Sequence, residues 1–409
     1  MPIRRRLSGK QPVDKTADGG HDPVDGPADG GRPSKRWRSG ALGAADDEEA
    51  PPAADDEEAP LDELVKVVRT DGRVAIVPAC LVAPAERAKR FGLNLSEYEA
   101  LCHFSVPLIL WNTLAMLFDV MGVIPRDLHC LDMFAGEESV RKAWTNRGYA
   151  AIGYEILKGG ETMDLNSGAG WVTAVIFIMR LVLNGFSSWG TVCSSWIWVC
   201  LSTSKRTKEN PLGDTDKAFV VNGNTMVARM SALLLLLEAR GCVWLLEQPA
   251  TSIMPRHPYL AWVIRNTSRI FTVTTSMGAF GAPTRKPTIL RGNRWWIERL
   301  RRTAPRLPQS TTTTRNTNPV TGRLEVTGTK DLKATQVYPP GYGEALVNEW
   351  EQWTATGHII IVDQPTGEST NNNGWDLVNV TNIETFMSGA GFAFDSVMEL
   401  YRSQNVTRS

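Results

Sequence analysis

Apolar residues along this chain follow two patterns: short β-branched runs and longer stretches with helical spacing. From His129 to Met277 the two patterns alternate. The predicted strands contain HCLDMF, YAAIGYEI, SWGTVCSSW, CVWLLEQP and RIFTVTTSM. The predicted helices contain EESVRKAWTNRG, WVTAVIFIMRLVLNG, TMVARMSALLLLLEARG and HPYLAWVIRNT. Because strands that alternate with helices form right-handed βαβ units, this pattern predicts an α/β fold with a doubly wound, mostly parallel sheet.

The flanking regions have different patterns. Residues 1–60 are rich in Gly, Pro, Ala, Asp and Glu and are predicted to be disordered, with a basic KRWR cluster and an acidic block, ADDEEAPPAADDEEAP. Residues 61–125 are predicted to be a small α/β extension, with a hairpin around Asp71-Gly72 and a helix after it. The α/β domain is expected over 126–300, a Ser/Thr/Arg-rich linker or reduced recognition segment over 301–335, and a C-terminal helix with a partly ordered tail over 336–409.

Composition narrows the class of protein. The chain has 409 residues, six Cys without a C-x-x-C pair, and five His without metal-binding spacing. Neither a disulfide framework nor a metal site is therefore indicated, and free thiols suit a reducing compartment. The longest apolar stretches are interrupted by polar residues, and the basic N-terminus is not followed by an apolar run. We expect a soluble intracellular protein with no membrane partner, nuclear if the source is eukaryotic.

Ligands bind parallel sheets at the carboxyl ends of the strands, so the residues after each apolar run are candidates. Gly136 follows the first strand, and Glu155 closes the second strand nineteen residues later. A glycine turn and an acid in these places can hold an adenosine, and Glu137-Glu138 favours a cofactor without phosphates; the alternative is a simple strand-to-helix turn. Asp164 could accept from an adenine amine, or it could be a helix cap or a loop residue.

Two further strand ends carry reactive groups. Cys193 could be a nucleophile with a lowered pKa or a buried structural cysteine. Glu247 directly follows an apolar strand, and it could be a proton donor, a hydrogen-bond partner for a ring nitrogen, or a helix cap.

A basic segment follows the last predicted strand. Between Arg285 and Arg306 there are eight Arg or Lys residues against one acid, with two Trp residues among them. Because cations contact phosphates and aromatic rings stack on bases, this segment predicts a nucleic-acid surface; a solvated basic helix face is the alternative. The predicted nucleic-acid-binding residues are Lys286, Arg291, Arg294, Trp295, Trp296 and Arg299.

Taken in order, LDMFAG, GYEI, MDL, TVCSSW, LLEQP and PTRKPT resemble the successive motifs of the DNA cytosine carbon-5 methyltransferase family. A weaker resemblance to the last motif lies in KATQVYPPGYGEALVNEW. The resemblance implies a Rossmann-like methyltransferase fold that uses S-adenosylmethionine. The residues that it implies for cofactor binding are Asp132, Phe134, Ala135, Gly136, Glu155 and Asp164.

The same resemblance implies a catalytic set. Cys193 matches the cysteine that attacks carbon 6 of an extruded cytosine, and Glu247 matches the glutamate that bonds the ring nitrogen and exocyclic amine. Arg285 is the nearest match to the supporting arginine, because the family's Gln-x-Arg is here Thr284, Arg285, Lys286. Val192 replaces the proline before the family's cysteine, and the segment at 301–335 is short for a sequence-reading domain.

Three hypotheses follow. The leading one is a methyltransferase acting on cytosine in nucleic acid, with DNA favoured over RNA. The second is a catalytically degenerate nucleic-acid-binding protein of the same fold. The third keeps the cofactor and changes the substrate to RNA or a protein side chain.

Overall fold

A hairpin and three helices precede the main sheet. The computed structural model describes residues 64–68, 74–78, 84–267, 269–307, 313–317, 319–320, 322, 324–329, 332 and 335–356. Strands β1 (Leu64–Val68) and β2 (Val74–Pro78) pair in antiparallel fashion around the predicted Asp71-Gly72 turn position. Helices α1 (Pro84–Lys89), α2 (Leu95–His103) and α3 (Leu108–Met121) follow. The predicted disordered arm and the predicted C-terminal tail beyond 356 lie outside the described residues.

A mixed six-stranded sheet forms the centre of the described chain. Its strands are β3 (Leu128–Met133), β4 (Ala151–Tyr154), β5 (Leu181–Trp189), β6 (Val243–Pro249), β7 (Phe271–Ser276) and β8 (Pro287–Gly292). The strand order is β4-β3-β5-β6-β8-β7. The first four pair in parallel, and β8 is antiparallel to both β6 and β7. The predicted α/β class with a mostly parallel sheet is confirmed.

Helices cover both faces of this sheet. They are α4 (Ser139–Asn146), α5 (Ile156–Gly159), α6 (Gly168–Met179), α7 (Trp198–Ser204), α8 (Ala218–Ala239), α9 (Pro258–Asn266) and α10 (Pro340–Ala355). Alternate residues of β6 point to opposite faces, as the strand period of two requires. Trp244 and Leu246 join one hydrophobic cluster with α2, α3, α6 and α8. Val243 and Leu245 join the other with α4 and α10.

A separate hairpin follows the sheet. It pairs β9 (Thr313–Thr317) with β10 (Leu324–Gly328) in antiparallel fashion. Both strands fall inside 301–335, which the sequence pattern predicts to be a linker or a reduced recognition segment.

Helix α8 is the one helix in the described residues long and apolar enough to cross a membrane. Its most apolar window is 67% buried inside the protein. Its leucines, from Leu233 to Leu237, lie in the hydrophobic cluster beneath the sheet. This burial is typical of a core helix, whose apolar surface is covered by protein.

One predicted helix is shorter than its apolar run. The pattern WVTAVIFIMRLVLNG predicts a helix throughout, but α6 ends at Met179 and β5 begins at Leu181. Between them the guanidinium of Arg180 binds both carboxylate oxygens of Asp127, at 2.8 and 2.7 Å. An unbroken apolar run fits a buried helix and a buried strand equally well, so pairing of Leu181 with Leu128 decides the boundary. The sequence pattern likewise does not predict strand β8.

The strand order creates a crevice at one edge of the sheet. From β3 the chain moves outward to β4, and from β5 it moves in the opposite direction to β6. The carboxyl ends of β3 and β5 are therefore adjacent, and the chain leaves them toward opposite sides of the sheet. Open α/β sheets bind their ligands at such a switch point.

Candidate functional site

The turn after β3 is closed by the acid at the end of β4. Phe134 and Gly136 have positive φ values of 58° and 50°. The Gly136 amide donates to Glu155 Oε2 at 2.8 Å, and Glu155 Oε1 accepts from the Leu157 amide at 3.2 Å. A Cβ on Gly136 would meet no atom within 4 Å, so the turn faces open space. The predicted pair thus meets at the carboxyl edge of the sheet, where β3 and β4 end.

Two neighbouring members of the predicted cofactor set are buried beneath this turn. Asp132 is 1% exposed, and its carboxylate accepts from the Arg141 amide at 3.1 Å. Burial raises the pKa of Asp132 to about 7. Ala135 is 3% exposed, and its amide donates to the Tyr154 carbonyl. These two residues support the turn from inside the protein.

Glu138 carries the negative charge that the sequence places beside this turn. Its carboxylate lies 2.7 Å from Arg141 and 2.9 Å from Lys158. Burial alone would raise the pKa of Glu138, but hydrogen bonds and charges from these two cations hold it below its ordinary value. The acid is therefore already neutralised by protein groups.

Asp164 lies in a local turn after β4. Its Oδ1 accepts from the Asn166 amide at 2.9 Å, and its carbonyl accepts from the Ser167 amide. Gly170 permits this turn, because a Cβ there would lie 1.9 Å from the Asp164 carbonyl oxygen. Asp164 is half-buried. In the structure it is a loop residue, which is one of the alternatives that the sequence leaves open.

The loop after β5 carries Cys193 and is fixed from two sides. Gln248 donates to the Thr191 carbonyl at 2.9 Å. The guanidinium of buried Arg206 donates to Ser195 Oγ at 3.2 Å and lies 3.5 Å from the centre of the Trp196 ring. A buried guanidinium with several partners is costly to displace, so the loop has little freedom.

The thiol of Cys193 has a raised pKa. The sequence leaves open a nucleophile with a lowered pKa and a buried structural cysteine. Burial, and then the negative charge of Glu247, raise the pKa of Cys193 to about 11. The positive charge of Lys286 opposes this rise. The thiol is therefore protonated at neutral pH, and the alternative with a lowered pKa does not describe it.

Glu247 lies in the same crevice and is 3% exposed. Its Oε2 accepts from the Tyr338 hydroxyl at 2.5 Å. Its Oε1 lies 3.3 Å from Lys286 Nζ. Tyr338 is not among the site residues that the sequence predicts. It lies just before α10, in KATQVYPPGYG, the segment that only weakly resembles the last motif.

The cation beside Glu247 is Lys286, not Arg285. The Arg285 side chain is exposed, and its carbonyl accepts from the Gly278 amide. Lys286 is 14% exposed at its side chain and faces the buried carboxylate. The assignment of Arg285 to the catalytic set and of Lys286 to the nucleic-acid surface is thus corrected. Both residues precede β8, and Lys286 has a positive φ of 33°, so the sequence does not show which of the two side chains faces the crevice.

The basic segment runs away from the crevice. Thr288 pairs with Pro249 at the carboxyl end of β6, whereas Gly292 pairs with Leu245 farther toward its amino end. Arg294 and the residues after it therefore begin near the opposite edge. Trp296 is 0% exposed and packs 6.0 Å from Phe186, so it cannot stack on a base. The prediction of Trp296 as a nucleic-acid-binding residue is wrong.

The other predicted members of this surface differ in accessibility. Burial lowers the pKa of both Arg291 and Arg294, and Arg294 lies 5.8 Å from the ring of Trp353. Trp295 is 39% exposed, with the Arg299 guanidinium 4.5 Å from its ring. Only the Trp295–Arg299 pair presents an aromatic face with a cation to solvent among these residues.

Among the described residues no group of three or more His, Cys, Asp or Glu side chains could hold a metal ion. Comparisons of the chain with protein-family models, with curated proteins and with solved structures found no match.

Proposed function

We propose that this protein is an S-adenosylmethionine-dependent methyltransferase with a Rossmann-like fold that acts on cytosine in nucleic acid, DNA in preference to RNA. The observation that carries the proposal is geometric: Glu247 pairs with Lys286 at 3.3 Å at the carboxyl edge of the sheet, and Gln248, the next residue of β6, holds the Cys193 loop through the Thr191 carbonyl at 2.9 Å. The Gly136–Glu155 turn lies at the same edge, on the adjoining strands. A nucleophile, an acid and a place for a hydroxyl-bearing cofactor are the parts that this reaction needs.

The proposed chemistry starts at the thiol. Cys193 gives its proton to solvent and adds to carbon 6 of an extruded cytosine, while ring nitrogen 3 takes up a proton from solvent. Glu247 accepts hydrogen bonds from the resulting ring N–H and from the exocyclic amine. S-adenosylmethionine, when bound, would supply an electrophilic methyl group for carbon 5 and leave as S-adenosylhomocysteine. The carbon 5 proton then passes to water, the electron pair of that bond expels the Cys193 thiolate from carbon 6, and nitrogen 3 returns its proton to solvent. Lys286 favours the thiolate, because its charge opposes the rise in the Cys193 pKa.

The test is covalent trapping on an oligonucleotide that contains 5-fluorocytosine. Fluorine at carbon 5 cannot leave as the proton does, so the wild-type protein with the methyl donor should form a stable adduct. Cys193→Ser should abolish the adduct, and Cys200→Ser, on the neighbouring helix α7, should leave it unchanged. Denaturing mass spectrometry measures both, and an adduct that survives Cys193→Ser excludes the mechanism.

The rate of adduct formation should also depend on pH. With a Cys193 pKa of about 11, the thiolate fraction rises about tenfold per pH unit between roughly pH 7 and 9. Quenched time courses over that range should show this slope. A flat profile would mean that a group other than the thiol limits the addition.

A second candidate function is nucleic-acid binding without catalysis. The protonated thiol and the exposed Trp295–Arg299 pair favour it, since an aromatic ring and a cation suffice for stacking and phosphate contact. Binding that falls steeply with salt, in a protein that shows no calorimetric heat with S-adenosylmethionine, would select this function. A methyltransferase that acts on RNA or on a protein side chain is distinguished by identifying the product labelled from the methyl donor.

A further inference from the structure

Tyr338 joins the crevice from a distant part of the chain. It lies 91 residues after Glu247, and its hydroxyl donates to Glu247 Oε2 at 2.5 Å. Lys286 Nζ lies 4.9 Å from the centre of the same phenol ring and 3.3 Å from Glu247 Oε1. The two carboxylate oxygens are therefore in different situations: a hydroxyl binds one, and a cation lies beside the other.

Three contacts hold the tyrosine in place. Its carbonyl accepts from Ser139 Oγ at 2.5 Å, at the start of α4. Its ring lies 5.1 Å from the ring of Tyr342 in α10. Its hydroxyl approaches the backbone of Gly190, where a Cβ would lie 2.6 Å from the phenol oxygen. Because only a residue without a side chain leaves this space, Gly190 admits the hydroxyl to the carboxylate.

The other oxygen of Glu247 lacks a hydrogen bond. Oε1 is buried and has no hydrogen-bond partner among the described residues, although Lys286 is near. Buried carboxylate oxygens nearly always accept hydrogen bonds, because an unsatisfied buried acceptor is costly. Burial, followed by the charge of Glu247, raises the pKa of Tyr338 well above its ordinary value, so the phenol stays a donor. The tyrosine thus occupies Oε2, whereas Oε1 lies beside Lys286 and has no hydrogen-bond donor among the described residues.

We propose that Tyr338 is the positioning residue that presents Glu247 Oε1 to the exocyclic amine of an extruded cytosine. This inference rests on the proposed function, since it takes cytosine as the ligand. Tyr338 touches no reacting atom in this arrangement. It orients the carboxylate by binding Oε2 with a hydroxyl that is seated against Gly190, and Lys286 lies beside Oε1 on the other side.

The test measures a coupling between the tyrosine hydroxyl and the base amine, and it requires no turnover. Single-stranded oligonucleotides that contain either one cytosine or one 2-pyrimidinone, which lacks the amine, are titrated by fluorescence anisotropy. The wild-type protein should prefer cytosine by about tenfold, the value of one hydrogen bond to a charged group. Tyr338→Phe should reduce this preference to about twofold or less, with binding of 2-pyrimidinone unchanged.

Tyr342→Phe is the matched control. Its buried hydroxyl has no hydrogen-bond partner among the described residues, so removing it should leave the preference intact. If Tyr338→Phe does not fold, Gly190→Ala provides a second route, because the new methyl group displaces the phenol from the carboxylate. Gly190→Ala should then lose the preference as well.

The outcomes separate this inference from the proposed function. A tenfold preference that persists in Tyr338→Phe overturns the positioning role, and so does a wild-type protein without any preference. A preference that Tyr338→Phe removes, in a wild-type protein that transfers no methyl group, supports the positioning role and contradicts the proposed activity.

Discussion

Asp132 places a carboxyl group in the protein interior beneath the β3–α4 turn. Burial raises its pKa from 3.8 to about 7, so the folded protein binds a proton that the unfolded chain has released. Stability should therefore fall as pH rises from about 4 to 7, by up to about 1.4 kcal/mol per pH unit, and then level off. Asp132→Asn should remove this part of the pH dependence and raise stability at pH 7. Urea unfolding at several pH values measures it.

The control for this prediction is Asp119→Asn, which changes an exposed carboxyl on α3. It should leave the pH profile of stability as in the wild type. Equal profiles for the wild type and Asp132→Asn would show that Asp132 is ionised in the folded protein, contrary to the raised pKa.

At the scale of elements, the β3–α4 turn is joined to the end of β4 by a hydrogen bond between Gly136 and Glu155. Glu155 holds the turn through Gly136 and caps α5 through Leu157, and its carboxylate faces the open side. Glu155→Gln keeps one acceptor but loses the charge, so affinity for S-adenosylmethionine should fall roughly 10- to 100-fold. Calorimetric titration measures this loss. Glu161→Gln, an exposed acid in the turn after α5, should bind as the wild type does.

A thermal melt distinguishes a lost ligand contact from a lost turn. If Glu155→Gln melts like the wild type and binds the cofactor with unchanged affinity, the acid serves only to cap α5.

The sequence predicts the pairing of Gly136 with Glu155 because adjacent parallel strands end at the same edge. It does not predict that Asp132 and Ala135 lie beneath the turn, since both belong to the same strand-to-turn segment as Phe134 and Gly136.

Across the whole molecule, charges of opposite sign lie in different segments. The 44 Lys and Arg residues balance 44 Asp and Glu residues, but ADDEEAPPAADDEEAP contains eight acids and no base. We predict that this block competes with nucleic acid for the exposed cations after β8. Deletion of residues 1–60 should then tighten binding of an oligonucleotide at low salt, and the difference should vanish as salt screens the charges.

A second variant tests whether charge is the cause. Replacing the eight acids of the block with their amides keeps the length of the arm and should tighten binding as much as the deletion does. Anisotropy titrations at several salt concentrations compare the variants. Unchanged affinity in both variants would contradict the competition.

The sequence alone determined the class of the fold and the segments in which β3, β4 and β6 end, whereas the bounds of β5 and the presence of β8 came from the structure. Apolar periodicity reports burial, and parallel strands bring their carboxyl ends to one edge, so the order of residues is enough to select Gly136, Glu155, Cys193 and Glu247. Tertiary structure alone decided which side each neighbour faces: Lys286 inward and Arg285 outward, Trp296 in the core and Trp295 at the surface. It also decided the Cys193 pKa and the hydrogen bond from Tyr338 to Glu247, because both depend on how distant segments pack around one crevice.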